Sequence, residues 1–355
     1  MKKARKTAGP EAAVRSLPTA LWPAADRAAW QEACRPGMRL KRGGAASHMK
    51  PVVQHDLAKR YGLFLDSLLR SGRLDMSAAA GAQVTPDNVE AYVADLKGRV
   101  SSVTVYGSIQ KLRRFLQLIV PERSLDWLIT IERELFSEMR PQPKWDRVVY
   151  ANVLVDAGLT LMAEAEMSKR SKLTRARMFR NGLIIALLAH CPIRLKNFAA
   201  LEIGRSFVNV DGTWWIVLTA AETKEKRQDE RPVPEEFTSS IGRYLEIYRP
   251  FLARGKAETN ALWLAMNGRP MSYASMGELI TEMTRMTVGV KVSPHLFRTA
   301  GVTTLATRAG NKPHAGGALL HHRPGPVTQE HYNRASCISA GKALGAVIRS
   351  YRGNA

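Results

Sequence analysis

The sequence predicts a mainly α-helical protein of two domains, with a small antiparallel β-sheet in the second domain. Its 355 residues are enough for two domains with a core each. Through most of the chain, apolar residues recur at three- and four-residue steps, which is typical of amphipathic helices. Only after Leu201 does the period fall to two, and an Asp-Gly pair between two such runs predicts a β-hairpin.

Four helices are predicted in the first domain, residues 48–140. Before them, residues 1–47 are basic and rich in Ala, Gly and Pro, which predicts a flexible N-terminal segment. Thr85 and Pro86 are suited to the N-cap and to the first position of the second helix. The first helix runs from Pro51 to just before Gly72, and the third and fourth cover about residues 104–119 and 125–139.

A proline-rich linker separates this helical domain from the second one. Pro141 and Pro143 deny a helix, so residues 141–147 are predicted to be a linker and residues 148–355 to be the second domain. An apolar helix is expected there over residues 177–190.

The second domain is predicted to combine one small sheet with helices. Strands are expected at residues 207–210 and 213–218, on either side of the Asp211-Gly212 turn. Residues 231–234 predict a third strand at an edge of the sheet, where proline is tolerated. The rest is helical in pattern, and residues 340–351 are spaced for an amphipathic helix.

The charge of the chain predicts a polyanionic partner. The formal net charge is +22, which makes nucleic acid the first expectation. On the third helix, Lys111, Arg113 and Arg114 lie opposite the apolar face and could contact DNA phosphates. Basic side chains on a helix surface often serve only solubility, so both interpretations of these three residues stay open.

Composition and spacing exclude several other classes. The three cysteines are far apart and form no CxxC pair, which argues against disulfides and structural zinc and fits a reducing cytosol. The longest apolar stretch, residues 183–189, is far shorter than the ~20 residues that span a bilayer, and no secretory signal is expected. No Gly-rich phosphate loop or metal-ligand spacing is present, so neither ATP, metal nor another cofactor is expected.

Five residues of the second domain have the types that metal-free cleavage of a phosphodiester requires. Arg194 lies in Cys-Pro-Ile-Arg-Leu-Lys, and His295 and Arg298 lie three apart in Pro-His-Leu-Phe-Arg, on one face of a helix turn. His322 follows in Leu-Leu-His-His-Arg, and Tyr332 comes ten positions later. Guanidinium groups neutralise the charge that builds on phosphate oxygens, histidines hold or move protons, and a tyrosine hydroxyl can attack.

This ordered set resembles the tyrosine recombinases, the phage-integrase family of site-specific DNA recombinases. The turn around Arg194 resembles the first arginine box of that family, and His-Leu-Phe-Arg resembles the second. Leu-Leu-His-His resembles the family's Leu-Leu-Gly-His element, with His321 in place of glycine, and the run that ends at Tyr332 matches the nucleophile segment. Asn197 departs from the pattern, because many relatives carry an acidic residue three positions after the first arginine.

The resemblance implies the roles of these residues. Tyr332 would attack the scissile phosphate of double-stranded DNA and form a 3′-phosphotyrosyl link without metal or ATP. Arg194 and Arg298 would clamp the phosphate. His295 would act as a general base or proton shuttle, and His322 would donate a hydrogen bond to a phosphate oxygen.

The resemblance also implies an architecture and a setting. A helical core-binding domain and a catalytic domain would close as a C-shaped clamp around DNA, and four protomers would assemble on two recombination sites. A mobile genetic element is the expected source, and the bacterial cytosol the expected location. Whether a directionality factor or a DNA-bending protein assists is left open.

The family also uses a lysine on a β-hairpin turn as the general acid that protonates the leaving 5′ oxygen. Glu-Thr-Lys-Glu-Lys-Arg over residues 222–227 resembles that turn, and Lys224 is the expected acid. The turn is slightly longer than usual, so Lys226 stays an alternative.

Three other functions compete with recombination. A type IB topoisomerase would use the same chemistry to relax one duplex, and a catalytically inactive relative would act as a DNA-binding regulator. EDTA would inhibit a metal-dependent nuclease. It should not inhibit the expected mechanism, which needs no metal.

Overall fold

The chain forms two compact units with the boundary after residue 143. The computed structural model describes residues 16–141, 145–224, 226–255, 259–308 and 319. The predicted fold class is confirmed, because helices predominate and the described residues contain one sheet of three antiparallel strands. Within these ranges, no helix has both the length and the apolar character needed to cross a bilayer.

The first unit contains helices α1 to α5 within its described residues, one more than the sequence predicts. Thr85 caps α3 as expected, since its hydroxyl accepts the Asn88 N–H at 3.3 Å, and Pro86 takes the first helical position. Gly72 follows α2 with a φ of +69°, the left-handed conformation that glycine adopts without strain. The helices span Ala24–Cys34 (α1), Pro51–Arg70 (α2), Pro86–Lys97 (α3), Ser102–Ile119 (α4) and Asp126–Ser137 (α5).

The prediction of a flexible N-terminal segment over residues 1–47 is wrong for residues 16–47. Trp22 lies just before α1 and Trp30 lies within it, and both side chains are buried. Their rings pack against Phe115 of α4, at centroid distances of 5.7 and 4.8 Å. Because a buried aromatic ring contributes more apolar area than most side chains, these two tryptophans make α1 part of the core.

A buried carboxylate also ties α1 to the rest of the first unit. Asp26 accepts the Tyr61 hydroxyl of α2 and the Gly81 N–H, each at 2.7 Å. Burial raises the pKa of Asp26, and these two hydrogen bonds oppose that shift. Within the predicted leader, residues 22–30 are therefore held in place by packing and by hydrogen bonds.

The second unit is built around helix α7, in which every residue from Phe179 to Ala189 is buried. Helix α6 packs against it at a close crossing, where a Cβ placed on Gly182 would lie 2.5 Å from the Gly158 carbonyl oxygen. The helices span Ala151–Met167 (α6), Lys172–His190 (α7), Leu195–Ala199 (α8), Thr238–Arg243 (α9), Arg249–Ala253 (α10), Tyr273–Val288 (α11) and Pro294–Arg308 (α12).

The sheet of the second unit confirms the predicted hairpin. Strands β1 (Phe207–Val210) and β2 (Thr213–Leu218) pair antiparallel across Asp211 and Gly212, whose φ values are +49° and +83°. Strand β3 (Asp229–Pro232) pairs with β2 and forms one edge of the sheet. It begins and ends two residues earlier in the chain than predicted. Because β3 is an edge strand, Pro232, which has no N–H, removes no hydrogen bond from the pairing of β3 with β2.

We expect Gly182→Val to lower the free energy of unfolding of the second unit by at least about 2 kcal/mol, since the side chain would force α6 and α7 apart. Gly242→Ala in α9 is the matched control, because a Cβ there meets no atom within 4 Å. That change should be neutral or stabilise by up to about 1 kcal/mol. Chemical denaturation followed by circular dichroism measures both, and equal stability of the valine variant and the parent would contradict the close crossing.

Candidate active site

The short loop between α7 and α8 positions Arg194. Helix α7 ends at His190, Pro192 disfavours its continuation, and the buried Ile193 anchors the turn. Arg194 is the N-cap residue of α8, and its carbonyl oxygen accepts the Asn197 N–H at 2.9 Å. Its side chain is half-buried, on a fixed backbone at the edge of the core.

Helix α12 positions His295 and Arg298. Pro294 opens the helix, His295 is exposed, and the fully buried Phe297 anchors the first turn to the core. Arg298 is only 8% exposed, and its Nη1 donates to the Pro192 carbonyl oxygen at 2.7 Å. This hydrogen bond joins α12 directly to the loop that carries Arg194.

A cavity of about 1080 Å³ in the second unit brings four of the six predicted catalytic residues together. Arg194, Lys224, His295 and Arg298 all line it, although they come from three separate segments of the chain. Tyr273 and Glu278 of α11 line it as well. The cavity is therefore cationic on one side, which suits a phosphate group.

The hairpin turn between β2 and β3 presents Lys224 to this cavity. Glu222 accepts the Thr219 N–H at 2.9 Å, and the Thr223 hydroxyl donates to the Arg227 carbonyl oxygen at 2.6 Å, so the turn is closed on both sides of the lysine. Lys226 is exposed and its φ is +52°.

The electrostatic setting of Arg298 is unusual for an arginine. Burial, followed by the positive charges of Arg194 and Arg231, lowers its pKa to about 10, while the Asp229 carboxylate opposes the shift. At neutral pH the guanidinium stays protonated. Positive charges held together in the interior repel one another, and the negative charge of Asp229 offsets part of that repulsion.

Two predicted residues, His322 and Tyr332, lie outside the described residues, as do His321 and the predicted helix over residues 340–351. Among the described residues, no group of three or more His, Cys, Asp or Glu side chains is placed to hold a metal ion.

The three basic residues of α4 differ in their surroundings. The Lys111 ammonium pairs with Asp56 at 2.6 Å, and Arg113 pairs with the buried Glu132 through Nε at 2.5 Å and Nη2 at 3.1 Å. Arg114 is exposed. The Arg113–Glu132 pair is partly buried and contributes to the packing of the first unit, whereas the Lys111–Asp56 pair lies at the surface and Arg114 is exposed to solvent.

Several solved structures with a similar architecture are recombinases or integrases. The chain aligns over 78% of its length with 74% of the XerH site-specific recombinase bound to difH substrate, at 13% identity and a TM-score of 0.52. It also aligns with the Tn1549 transposon integrase in complex with transposon right end DNA, at 14% identity and a TM-score of 0.52. That alignment covers 84% of this chain and 96% of the integrase chain. A lambda integrase dimer bound to a COC′ core site aligns at 10% identity and a TM-score of 0.50, over 81% of this chain and 90% of that one.

The chain has the fold of the tyrosine recombinases. The resemblance that the sequence motifs indicate is thus confirmed at the level of the fold. No family model matches the chain, and no curated protein matches it by sequence. The cavity of the second unit is the candidate active site, because four residues that sequence motifs single out line it.

One pair of charged residues whose charges act on Arg298 is not apparent from the sequence. Asp229 and Arg231 on β3 are both buried and form a two-contact ion pair. Their spacing of two residues was the available signal, since alternate residues of a strand share a face. The sequence alone could not tell that this face is turned inward.

The ion pairs of α4 allow a direct test on the first unit. Arg113→Met should lower its free energy of unfolding by about 3 kcal/mol, because Glu132 would be left buried without its partner. Arg114→Met, one position away and exposed, should change it by less than about 0.5 kcal/mol. Chemical denaturation of the two variants measures both values, and equal effects would mean that the Arg113–Glu132 pair contributes nothing.

Proposed function

We propose that the chain is a site-specific DNA recombinase that cuts and rejoins DNA strands through a covalent tyrosine intermediate, without metal or ATP. The observation that carries this proposal is the meeting of Arg194, Lys224, His295 and Arg298 at one cavity of a chain with the tyrosine-recombinase fold. The net charge of +22 supports DNA as the partner.

In the proposed reaction, the Tyr332 hydroxyl oxygen attacks the scissile phosphorus while its proton passes to a base or to water. A bond forms between that oxygen and phosphorus, and the bond from phosphorus to the 5′ oxygen breaks. The leaving oxygen takes a proton from Lys224 and departs as a free 5′ hydroxyl. The 3′-phosphotyrosyl link retains the energy of the broken bond, so a second 5′ hydroxyl can reverse the step on another strand without ATP.

The arginines act on the charge of the phosphate. The five-coordinate transition state carries more negative charge on its non-bridging oxygens than the ground state does, and Arg194 and Arg298 would donate hydrogen bonds to these oxygens. One preorganised donor of this kind contributes about 3 kcal/mol to transition-state stabilisation. The Arg298 contact with the Pro192 carbonyl supports preorganisation, because the guanidinium is already held in place before DNA binds.

The histidines would manage protons and hydrogen bonds. His295 lies one helical turn before Arg298 and lines the same cavity, which suits a general base or proton shuttle for the attacking hydroxyl. His322 would donate a hydrogen bond to a phosphate oxygen, a role that rests on its place ten residues before Tyr332.

The wider proposal concerns assembly and setting. The first unit, a helical core-binding domain, and the second unit, the catalytic domain, would both contact duplex DNA. On α4 this interface would use Lys111, Arg113 and Arg114, among which the exposed Arg114 is the strongest candidate. Four protomers would assemble on two sites and exchange the segment after Tyr332. We infer a mobile genetic element as the source and the bacterial cytosol as the location.

A suicide-substrate assay tests the chemistry. Nicked duplexes from the flanks of the encoding element should give an SDS-resistant adduct with the wild-type protein, because loss of the short nicked fragment prevents resealing. EDTA should not reduce the yield, and Tyr332→Phe should abolish the adduct.

The other outcomes of this assay identify the competitors. An adduct that persists in Tyr332→Phe would place the nucleophile elsewhere, and inhibition by EDTA would indicate a metal-dependent nuclease. Relaxation of a supercoiled plasmid that lacks any target site would indicate a topoisomerase. Binding of the duplex without an adduct would indicate a DNA-binding regulator.

The choice between Lys224 and Lys226 can be tested by changing the leaving group. Lys224→Ala should slow adduct formation by about 10²–10⁴-fold, as expected for loss of a general acid, whereas Lys226→Ala should leave the rate within about threefold. A substrate with sulfur in place of the scissile 5′ oxygen needs no protonation and should restore the rate of Lys224→Ala. Rescue of the Lys226 variant alone would assign the acid to Lys226.

A further inference from the structure

A short loop of the first unit, residues 35–44, is closed at its base and projects a two-residue tip. At the base, the Gly44 N–H donates to the Arg35 carbonyl oxygen at 2.9 Å. Near the tip, Met38 and Lys41 exchange two backbone hydrogen bonds, at 2.9 and 3.0 Å. We call this loop the finger, and its tip consists of the two residues between Met38 and Lys41.

The base of the finger is anchored to the core of the first unit. The Ala46 N–H donates to the Ala33 carbonyl oxygen of α1 at 2.7 Å, and Ala46 is fully buried. The Ala46 carbonyl oxygen in turn accepts the Gln54 side-chain amide of α2 at 2.9 Å. Gly44 packs so closely on α1 that a Cβ there would overlap the Glu32 carbonyl oxygen. The finger therefore leaves the unit from a fixed base beside the N-terminal end of α2.

The tip combines positive charge with an exposed apolar side chain. Leu40 is 99% exposed, so its side chain contacts almost nothing in the free protein. Arg39, Lys41 and Arg42 around it are exposed as well, and no acidic residue occurs over residues 33–55. Leucine gains free energy when it is buried, whereas the three cations favour an anionic surrounding. The tip therefore suits a partner that offers an apolar cleft between rows of negative charge.

The minor groove of duplex DNA is such a cleft, because rows of phosphates flank a floor of sugars and base edges. It is only about 6 Å wide, about half the width of the major groove. The stem of the finger is narrow too, since a Cβ on Gly37 would lie 2.9 Å from the Gly43 nitrogen. The negative potential of a narrow minor groove attracts arginine, and apolar side chains such as leucine insert there between base steps.

We propose that the finger binds duplex DNA, with Arg39 and Leu40 in the minor groove and Lys41 and Arg42 on the phosphates at its edges. The inference rests on the proposed function only in that DNA is the partner. A membrane is the less suitable partner, because a single leucine buries little apolar area in a bilayer, whereas the net charge of +22 suits a polyanion such as DNA.

Variants of the tip separate its two contributions. Leu40→Ser removes the apolar group and keeps every charge, whereas Arg39→Gln removes one charge and keeps the leucine. Both side chains are exposed, so neither change should affect folding. Leu69→Ser and Arg73→Gln are the matched controls, because both residues are exposed and lie at or just beyond the far end of α2, about 30 Å from the finger.

The measurement is the dissociation constant of a short, fluorescein-labelled, A·T-rich duplex for the full chain, obtained by fluorescence anisotropy over a range of salt concentrations. Leu40→Ser should weaken binding about tenfold without changing the salt dependence, because it removes no charge. Arg39→Gln should lower the slope of log K against log salt by about 0.9, since one cation fewer displaces bound counterions. The two controls should stay within about threefold of the wild type, because charges that far from the finger are screened.

Netropsin, which occupies the minor groove of A·T-rich DNA, tests where the tip binds. On a duplex saturated with netropsin, the wild-type protein and Leu40→Ser should bind with equal affinity, because the groove that Leu40 would enter is blocked. A difference between them that persists on the saturated duplex would contradict insertion into the minor groove.

Three further results would overturn the inference. If Arg73→Gln and Leu69→Ser weaken binding as much as the tip variants do, DNA binds to the general basic surface of the protein. If the tip variants lose affinity only for vesicles of anionic phospholipid, the partner is a membrane. If Leu40→Ser changes only the sedimentation of the protein without DNA, the tip contacts a second copy of the chain.

The binding assay needs no DNA cleavage, so its failure and that of the proposed function are distinguishable. A protein that forms no tyrosine adduct but binds the duplex through Leu40 would refute recombination and leave the role of the finger standing. A protein that forms the adduct and binds the duplex equally well with serine at position 40 would refute the role of the finger alone.

Discussion

The candidate site depends on one hydrogen bond, from the Arg298 guanidinium to the Pro192 carbonyl oxygen. It joins two segments that are 106 residues apart in the chain and fixes the distance between the loop of Arg194 and the helix of His295. Both segments are anchored in the core, by Ile193 on one side and by Phe297 on the other. Preorganisation of the two arginines therefore follows from packing, before any ligand is present.

This arrangement places positive charges in the protein interior, where the loss of hydration makes charged groups unfavourable. Burial and the neighbouring arginines lower the pKa of Arg298, since a charged group is less stable in the interior than in water. The surrounding structure supplies the stability that the cluster lacks. Helix α7 is buried along eleven consecutive residues and packs closely on α6, while the α6 N-terminus is tied to α12 by the Thr304 hydroxyl, which accepts the Ala151 N–H at 2.8 Å.

Local signals in the sequence were sufficient for much of the fold. The Asp211-Gly212 turn predicts the hairpin because its backbone requires positive φ, and Thr85-Pro86 predicts a helix start because both residues suit that position. Residues 16–47 were mispredicted, because their average composition is that of a flexible segment while two tryptophans decide the packing. Composition averages over a window, whereas burial is decided by individual side chains.

The sequence predicts those residues of the candidate site whose side-chain type and motif indicate their chemistry. Arg194, Lys224, His295 and Arg298 could be chosen from motifs, and the fold brings them to one cavity. The Asp229–Arg231 pair could not be chosen, because an acidic and a basic residue on an edge strand usually face solvent. Its burial follows from the tertiary structure, which local sequence does not show. The same is true of the difference between Arg113, which pairs with Glu132, and Arg114, which is exposed.

The most direct test of the central claim is to identify the residue and the DNA end that form the covalent link. The adduct from a nicked duplex would be digested with nuclease and protease, and the remaining nucleotide-bearing peptide sequenced by tandem mass spectrometry. We expect a 3′-linked nucleotide on Tyr332. A nucleotide on another residue, such as the cavity-lining Tyr273, or a link through a 5′ phosphate, would contradict it.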